Sequence, residues 1–213
     1  MLDGSQGPVP DAAMNRKVKR ICVYCGSGSG LNPAYAQAAR DLGADLAKSG
    51  IGLVYGGGSL GLMGEVARSV LGAGGHVTGI IPEFLSAKER MLREVDELLV
   101  TGSMHERKQM MFEKSDAFVA LPGGVGTLEE LVEQLTWSQL GQHSKPLVLV
   151  NIDDFWRPLL SLFERMSEEA FIRPGLQINL SVAETAQAVV PTILELAAGR
   201  EALAAEGTIP TKF

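Results

Sequence analysis

The sequence has little of several features that define whole classes of protein. Its 213 residues include only two cysteines, three histidines and two tryptophans. It has no apolar run of the length, about 18 residues or more, that predicts a transmembrane helix. The N-terminal segment is polar and then basic, without the apolar stretch of a secretory signal. We therefore predict a flexible extension over 1–18 and no membrane partner.

The sequence also lacks an excess of positive charge. Its formal net charge is −6 and its pI about 5.2, which disfavours a nucleic-acid partner. Hydrophobic residues make up 46% of the chain, enough for the core of one domain. We place that domain at 19–200 and a loose tail at 201–213.

The few cysteines and histidines offer no metal or redox site. Cys22 and Cys25 form a C-x-x-C pattern inside an apolar stretch that is typical of a strand. Residues three apart on a strand face opposite sides, so the two thiols should neither pair nor share a metal. We expect reduced core cysteines in a cytoplasmic protein. The histidines have no metal-ligand spacing, and no Walker, H-E-x-x-H or G-x-S-x-G motif is present.

Short apolar segments alternate with helical patterns along the chain. The predicted strands are 21–25, 52–55, 76–81, 95–100, 117–121, 146–151 and 178–182. The predicted helices are 33–48, 62–71, 103–114, one after residue 127, 155–169 and 185–198, with mixed loop and short helix at 83–93. This alternation predicts an α/β fold, a doubly wound and mainly parallel sheet with helices on both faces.

Three glycine-rich segments, 26–30, 56–61 and 123–126, each follow a predicted strand. Ligands of such folds bind at the carboxyl ends of the strands, so the three segments should meet at one crevice. Segment 56–61 also matches the dinucleotide pattern G-x-G-x-x-G. Its acidic partner is poorly placed, because Glu83 lies beyond the strand and after Pro82. An NAD(P) site is therefore a minor alternative.

Segment 121–130 has the pattern of a strand end, a glycine-rich turn and a helix start. Exposed amides at a helix start favour a phosphate, although an ordinary tight turn has the same pattern. Thr127 and Glu130 also fit a capping box, which would give Glu130 a purely structural role. Ser103 and Glu106 form a second capping box. Arg107 and Lys108 follow. Two cations are unfavourable near the positive N-terminal end of a helix, so we expect an anionic group beside them.

These motifs resemble the LOG ("Lonely Guy") family, the cytokinin riboside 5′-monophosphate phosphoribohydrolases. The resemblance rests on M-H-E-R-K at 104–108, P-G-G-V-G-T-L-E-E at 122–130, and supporting motifs at 23–27, 54–58, 61–64 and 136–141. It runs from about residue 20 to 190. It implies a Rossmann-like domain, a homodimer and no cofactor. The N-terminal extension and segment 83–93 depart from the family pattern.

The resemblance also implies an activity and a set of site residues. The activity is hydrolysis of the N-glycosidic bond of a nucleoside 5′-monophosphate, AMP or N6-substituted AMP, to a free base and ribose 5-phosphate. The catalytic residues would be Arg107 and Glu130. The substrate-binding residues would be Ser27, Gly57, Gly58, Glu89, Lys108, Gly123, Gly124, Val125, Gly126, Thr127 and Glu129.

A non-catalytic carrier of a nucleotide or cofactor on the same fold is the main alternative. The chain lacks the machinery of a pyridoxal-phosphate decarboxylase, which excludes the lysine decarboxylase label that often accompanies the family.

Overall fold

Seven strands form one sheet in the computed structural model, which describes residues 18–86, 91–173 and 178–205. They are β1 (Arg20–Tyr24), β2 (Gly52–Tyr55), β3 (Val77–Pro82), β4 (Glu97–Thr101), β5 (Ala117–Ala120), β6 (Leu147–Val150) and β7 (Ser181–Ala183). Their order in the sheet is β4-β3-β2-β1-β5-β6-β7, and each neighbouring pair is parallel.

Helices cover both faces of this sheet. They are α1 (Pro33–Lys48), α2 (Gly61–Gly72), α3 (Glu83–Ser86), α4 (Met104–Glu113), α5 (Val125–Gln139), α6 (Arg157–Glu168) and α7 (Val189–Ala205). Apolar residues of α1, α2 and α7 pack on one face, and those of α4, α5 and α6 pack on the other. The predicted α/β, doubly wound, Rossmann-like fold is confirmed.

The two faces of β1 show how the strands feed two separate cores. Ile21 and Val23 join the core under α1 and α2, whereas Cys22 and Tyr24 join the core under α4 and α5. Cys25 lies with the first group, so the two thiols point to opposite faces as predicted. Both are free, and burial raises the pKa of each well above its usual range.

The C-terminal elements differ from the predicted bounds. The last strand begins at Ser181 rather than 178, and a 3-10 turn (Ala186–Ala188) precedes α7. Helix α7 continues to Ala205, past residue 200, where the sequence places the start of the tail. In the part of the chain that the structure describes, no helix is long and apolar enough to span a membrane.

The order of the strands creates a crevice at the carboxyl edge of the sheet. β1 lies between β2 and β5, and the chain leaves β1 toward α1 on one face but leaves β5 toward α5 on the other. The two connecting loops therefore diverge, and in open α/β sheets a ligand site forms where such loops part.

Candidate functional site

The three glycine-rich loops are in direct backbone contact. The amide of Gly26 donates to the carbonyl of Pro122 over 3.1 Å, and the amide of Leu62 donates to the carbonyl of Gly26 over 3.0 Å. A Cβ atom on Gly61 would overlap the backbone of Ser27, and the φ of +59° at Gly61 also favours glycine. The loops after β1, β2 and β5 thus meet, as their positions at strand ends predicted.

A cleft of about 280 Å³ opens between the loops after β1 and β5. Five of the eleven described residues that line it are glycines, and Tyr35 and Phe155 form an aromatic wall with their rings edge to face at 5.5 Å. None of the described residues that line it carries a charge. They are Gly26, Ser27, Gly28, Ser29, Gly30, Tyr35, Leu62, Pro122, Gly123, Gly124 and Phe155.

A side-chain hydrogen bond joins two residues that lie close in sequence to Gly30 and Phe155 of the cleft. The amide nitrogen of Asn32 donates to a carboxylate oxygen of Asp153 over 2.6 Å, while its oxygen accepts from the amide of Ala34 and caps α1. Asp153 and Asp154 both have positive φ, at 49° and 58°, which is uncommon for residues other than glycine. We call this link between the β1 and β6 loops the clasp, and strain of this kind is concentrated at functional sites.

The start of α5 lies open next to the cleft. Gly124 is the N-cap and has no side chain to bond the first amides, those of Val125, Gly126 and Thr127. Val125 and Gly126 are exposed, whereas Thr127 is buried and packs over Gly123. The predicted capping box of Thr127 and Glu130 is therefore wrong, because the helix begins three residues earlier than that pattern requires.

Glu130 instead forms a buried ion pair with Arg107 of α4. Nη1 of Arg107 lies 2.9 Å from Oε1 of Glu130, and the two side chains are only 10% and 12% exposed. Burial raises the pKa of Glu130 above its usual value, and the positive charge of Arg107 offsets only part of that rise. A carboxylate with a raised pKa next to a fixed cation is a candidate for proton transfer.

Three further contacts hold the guanidinium of Arg107. Its Nε donates to the carbonyl of Ile80 over 3.1 Å, and Nη1 lies 3.4 Å from the sulfur of Met104. Its remaining nitrogen, Nη2, lies over Gly56 at the end of β2. The guanidinium therefore contacts β3, α4, α5 and the residue that follows β2.

Lys108, the second cation of α4, bridges two carboxylates of α5. Its Nζ lies 2.5 Å from Glu129 and 2.9 Å from Glu133. Burial tends to lower the pKa of Lys108, but the hydrogen bonds to the two glutamates outweigh it and the pKa lies above its usual value. The anionic groups expected beside Arg107 and Lys108 are therefore Glu129, Glu130 and Glu133. We call these five residues the charged seam.

The second predicted capping box is formed at Ser103, while its glutamate bonds the residue before the N-cap. Oγ of Ser103 accepts from the amide of Glu106 over 3.1 Å, and the carboxylate of Glu106 reaches the amide of Gly102 over 2.8 Å. It starts α4 and so sets the helical phase that points Arg107 inward and Lys108 toward α5.

Gly57 and Gly58 do not line the cleft. Both are buried: the carbonyl of Gly57 accepts from the amide of Leu92, and Gly58 pairs with Met91 in an isolated bridge. An open dinucleotide loop at 56–61 is therefore not formed. Glu89, the remaining predicted contact, lies outside the described residues. In the described ranges, no group of three or more histidine, cysteine, aspartate or glutamate residues could hold a metal ion.

Sequence reasoning missed the residues that complete these two regions. Tyr35 and Phe155 line the cleft, Asn32 and Asp153 form the clasp, and Glu133 belongs to the charged seam. Glu133 could have been found because it lies four residues after Glu129, on the same helical face. Asp153 follows a predicted strand end, the position at which a ligand site was expected.

Comparison with known proteins identifies the family. A family model described as "Possible lysine decarboxylase" matches residues 63–193. The chain is 46% identical over 194 residues to the cytokinin riboside 5′-monophosphate phosphoribohydrolase LOG3 of Arabidopsis thaliana, covering 91% of this chain and 90% of that protein. It is 52% identical over 159 residues to the probable cytokinin riboside 5′-monophosphate phosphoribohydrolase LOGL9 of Oryza sativa subsp. japonica, covering 75% and 70%.

Solved structures agree on the fold. The chain is similar to the molybdenum cofactor binding protein of Rippkaea orientalis, with a TM-score of 0.64 and 24% identity over 86% of this chain and 99% of that one. It is also similar to the molybdenum cofactor carrier protein of Chlamydomonas reinhardtii, with a TM-score of 0.63 and 25% identity over 85% and 99%. The sequence identity to the plant proteins, 46% and 52%, is about twice the identity to these two solved structures. The chain therefore belongs to the LOG family of phosphoribohydrolases.

Proposed function

We propose that this protein hydrolyses the N-glycosidic bond of adenosine 5′-monophosphate, unsubstituted or N6-substituted, to release the base and ribose 5-phosphate. The observation that carries the proposal is the buried Arg107–Glu130 pair beside the open start of α5. The plant relatives, whose names specify this reaction on cytokinin ribosides, support the choice of substrate class.

The backbone at the start of α5 would bind the 5′-phosphate. The free amides of Val125, Gly126 and Thr127 carry the partial positive charge of the helix N-terminus. Gly124 has no side chain to block an approach, and Ser27 on the opposite loop lines the same cleft. Phosphate binding of this type needs no lysine or arginine, which fits the uncharged lining of the cleft.

Glu130 would act on the sugar. Cleavage of a glycosidic bond passes through an oxocarbenium-like state in which positive charge develops on the ribose. The carboxylate of Glu130 stabilises that charge and takes a proton from the water whose oxygen bonds to C1′. Its raised pKa brings the group closer to neutral pH, where a general base is most effective.

Arg107 would support the leaving base. The electron pair of the broken C1′–N bond remains on the base, and a cation nearby stabilises that negative charge. The base then takes up a proton from solvent to become the neutral product, and Glu130 returns to solvent the proton that it took from the water. Arginine stays charged at all relevant pH values and is a poor proton donor, so we assign it an electrostatic role. It also keeps Glu130 ionised by offsetting part of the cost of burial.

A second candidate is a phosphate-bearing cofactor carrier. Two proteins of the same fold are named as binding or carrying the molybdenum cofactor, and the uncharged cleft could bind a phosphate without any reaction. The charged seam weighs against it, since a carrier has no use for a buried carboxylate of raised pKa.

The test is to incubate the purified protein with AMP, and separately with an N6-prenylated AMP, and to assay the free base and ribose 5-phosphate. We expect both products in equal amounts, and the ratio of the two rates gives the preferred base. AMP binding by calorimetry without release of adenine from either nucleotide would instead favour the carrier. Glu130→Gln should lose this activity. The matched control is Glu168→Gln, at an exposed glutamate of α6, which should keep it.

We include a homodimer and a cytoplasmic location in the proposal. The apolar side chains of Val125 and Val132 are exposed on α5, which also carries glutamates of the charged seam, and Leu140 is exposed at the C-cap of the helix. The two buried, unpaired thiols fit a reducing compartment. Sedimentation of the protein and of Val132→Glu tests the dimer: we expect the substitution to shift the mass toward the monomer, and an unchanged mass would place any interface elsewhere.

A further inference from the structure

A gap in the sheet lies directly beneath the guanidinium of Arg107. Val23 pairs with Tyr55, and Tyr55 with Gly79, so one residue further on Tyr24, Gly56 and Ile80 lie side by side. Tyr24 and Ile80 point into the core under α4 and α5. Gly56 faces the same side but has no side chain, and it leaves a space between these two large neighbours.

Arg107 fills this space. A Cβ atom on Gly56 would overlap Nη2 of Arg107 and would lie 3.0 Å from the sulfur of Met63, closer than such atoms normally approach. An arginine side chain without hydrogen bonds could change rotamer to avoid this overlap with little loss of free energy. This one is fixed by Ile80 through Nε and by Glu130 through Nη1, so it cannot move without breaking one or both hydrogen bonds.

The backbone itself would tolerate a side chain at Gly56. Its φ lies outside the left-handed region, and no backbone atom is among the three nearest neighbours of the added Cβ. The cost of an alanine therefore falls mainly on the position of Arg107. This separates Gly56 from Gly61 and Gly123, where an added Cβ would strike the backbone of Ser27 or the side chain of Thr127.

We propose that Gly56 is a positioning residue for the reaction, because its missing side chain makes the seat that holds the Arg107 guanidinium against Glu130. The inference rests on the proposed function for its kinetic consequence. Its structural content, that Gly56 sets the place of Arg107, is independent of which reaction the pair performs.

The kinetic test compares Gly56→Ala with Gly72→Ala, a control at an exposed glycine of α2 where the added Cβ meets nothing within 4 Å. We expect kcat of Gly56→Ala on AMP to fall about 100-fold, the scale of a misplaced catalytic group, with KM changed much less. Gly72→Ala should keep the original kcat. A Gly56→Ala loss confined to KM would overturn the proposal, because it would mean that the phosphate loop had moved instead.

A double-mutant cycle shows whether Gly56 acts through Arg107. In an Arg107→Ala background the added Cβ no longer meets the guanidinium, and its remaining close contact is with the flexible side chain of Met63, so adding Gly56→Ala should lower the rate no further. Losses that multiply would mean that Gly56 acts by another route, and the assignment would be wrong.

A third readout does not depend on turnover. The Nε proton of Arg107, donated to Ile80, should exchange slowly in the original protein and in Gly72→Ala, and rapidly in Gly56→Ala. If the protein released no base from AMP, the proposed function would fail while this result could still support the seat. Unchanged exchange in a folded Gly56→Ala would reject the seat even in an active enzyme.

Discussion

The charged seam is made of ionised side chains, whereas the cleft beside it is lined by glycines and uncharged residues. In the seam, Arg107 and Lys108 of α4 meet three glutamates of α5 over 2.5–2.9 Å. The described lining of the cleft is rich in glycine and has no charge at all. Charged side chains can change protonation state and stabilise developing charge, while backbone amides give a fixed anion site whose properties do not change with pH. Under the proposed function, the reaction would take place at the seam and the substrate phosphate would bind in the cleft.

Replacing Arg107 in the charged seam should lower the rate more than any change in the cleft. We expect Arg107→Ala to lower kcat on AMP by about 100- to 1,000-fold, the usual loss for a group that stabilises charge in the transition state. Binding of ribose 5-phosphate to the cleft should change little. A large loss of ribose 5-phosphate affinity in calorimetry would show instead that Arg107 binds the phosphate.

The pH dependence gives this variant a second signature. Glu130 must be ionised to act as a base, so kcat should rise with pH through its pKa, which burial places above the usual glutamate value. Arg107 lowers that pKa, so its removal should move the acid limb of the profile to still higher pH. A limb that stayed in place would mean that another group controls the rate.

A change in the cleft should have the opposite kinetic pattern. A Cβ atom on Gly123 would collide with the side chain of Thr127 and disturb the amides at the start of α5. We expect Gly123→Ala to raise KM about 10- to 100-fold, the cost of weakening a hydrogen bond to a charged group, with a smaller change in kcat. Steady-state kinetics on AMP give both constants for this variant. A fall in kcat with an unchanged KM would contradict the assignment of substrate binding to the cleft and of chemistry to the seam.

The sheet and its helices could be predicted because strands apolar on both faces and glycine-rich turns are local signals. The pairing of Glu130 with Arg107 could not be predicted in this way. Thr127-x-x-Glu130 satisfies a capping pattern, but the helix starts at Gly124, and that choice depends on how the loop packs against Gly26. Arg107 lies 23 residues before Glu130, and only the packing of α4 beside α5 brings the two together.

Breaking the clasp should have the smallest effect on the kinetics of these variants, because its two residues do not line the cleft. Asp153→Ala removes the acceptor of Asn32 and puts a non-glycine residue without a polar side chain at a φ of 49°. We expect KM for AMP to rise about 2- to 10-fold, the value of one neutral or partly exposed hydrogen bond. Asp153→Asn keeps an oxygen acceptor and tolerates this backbone, so it should restore most of the affinity. Equal KM values in all three proteins would show that the clasp does not shape the cleft.

Glu130→Gln tests the central claim most directly, because it keeps the shape of the side chain and an acceptor for Arg107 while removing the charge. The measurement is release of adenine in a single turnover, with folded enzyme in excess over AMP, together with AMP affinity by calorimetry. We predict that adenine release falls about 100- to 10,000-fold while AMP affinity remains close to that of the original protein. Thermal stability should fall, because the buried charge of Arg107 loses its ionised partner. Adenine release at the original rate from Glu130→Gln would contradict the account, because the charged seam would then have no part in breaking the bond.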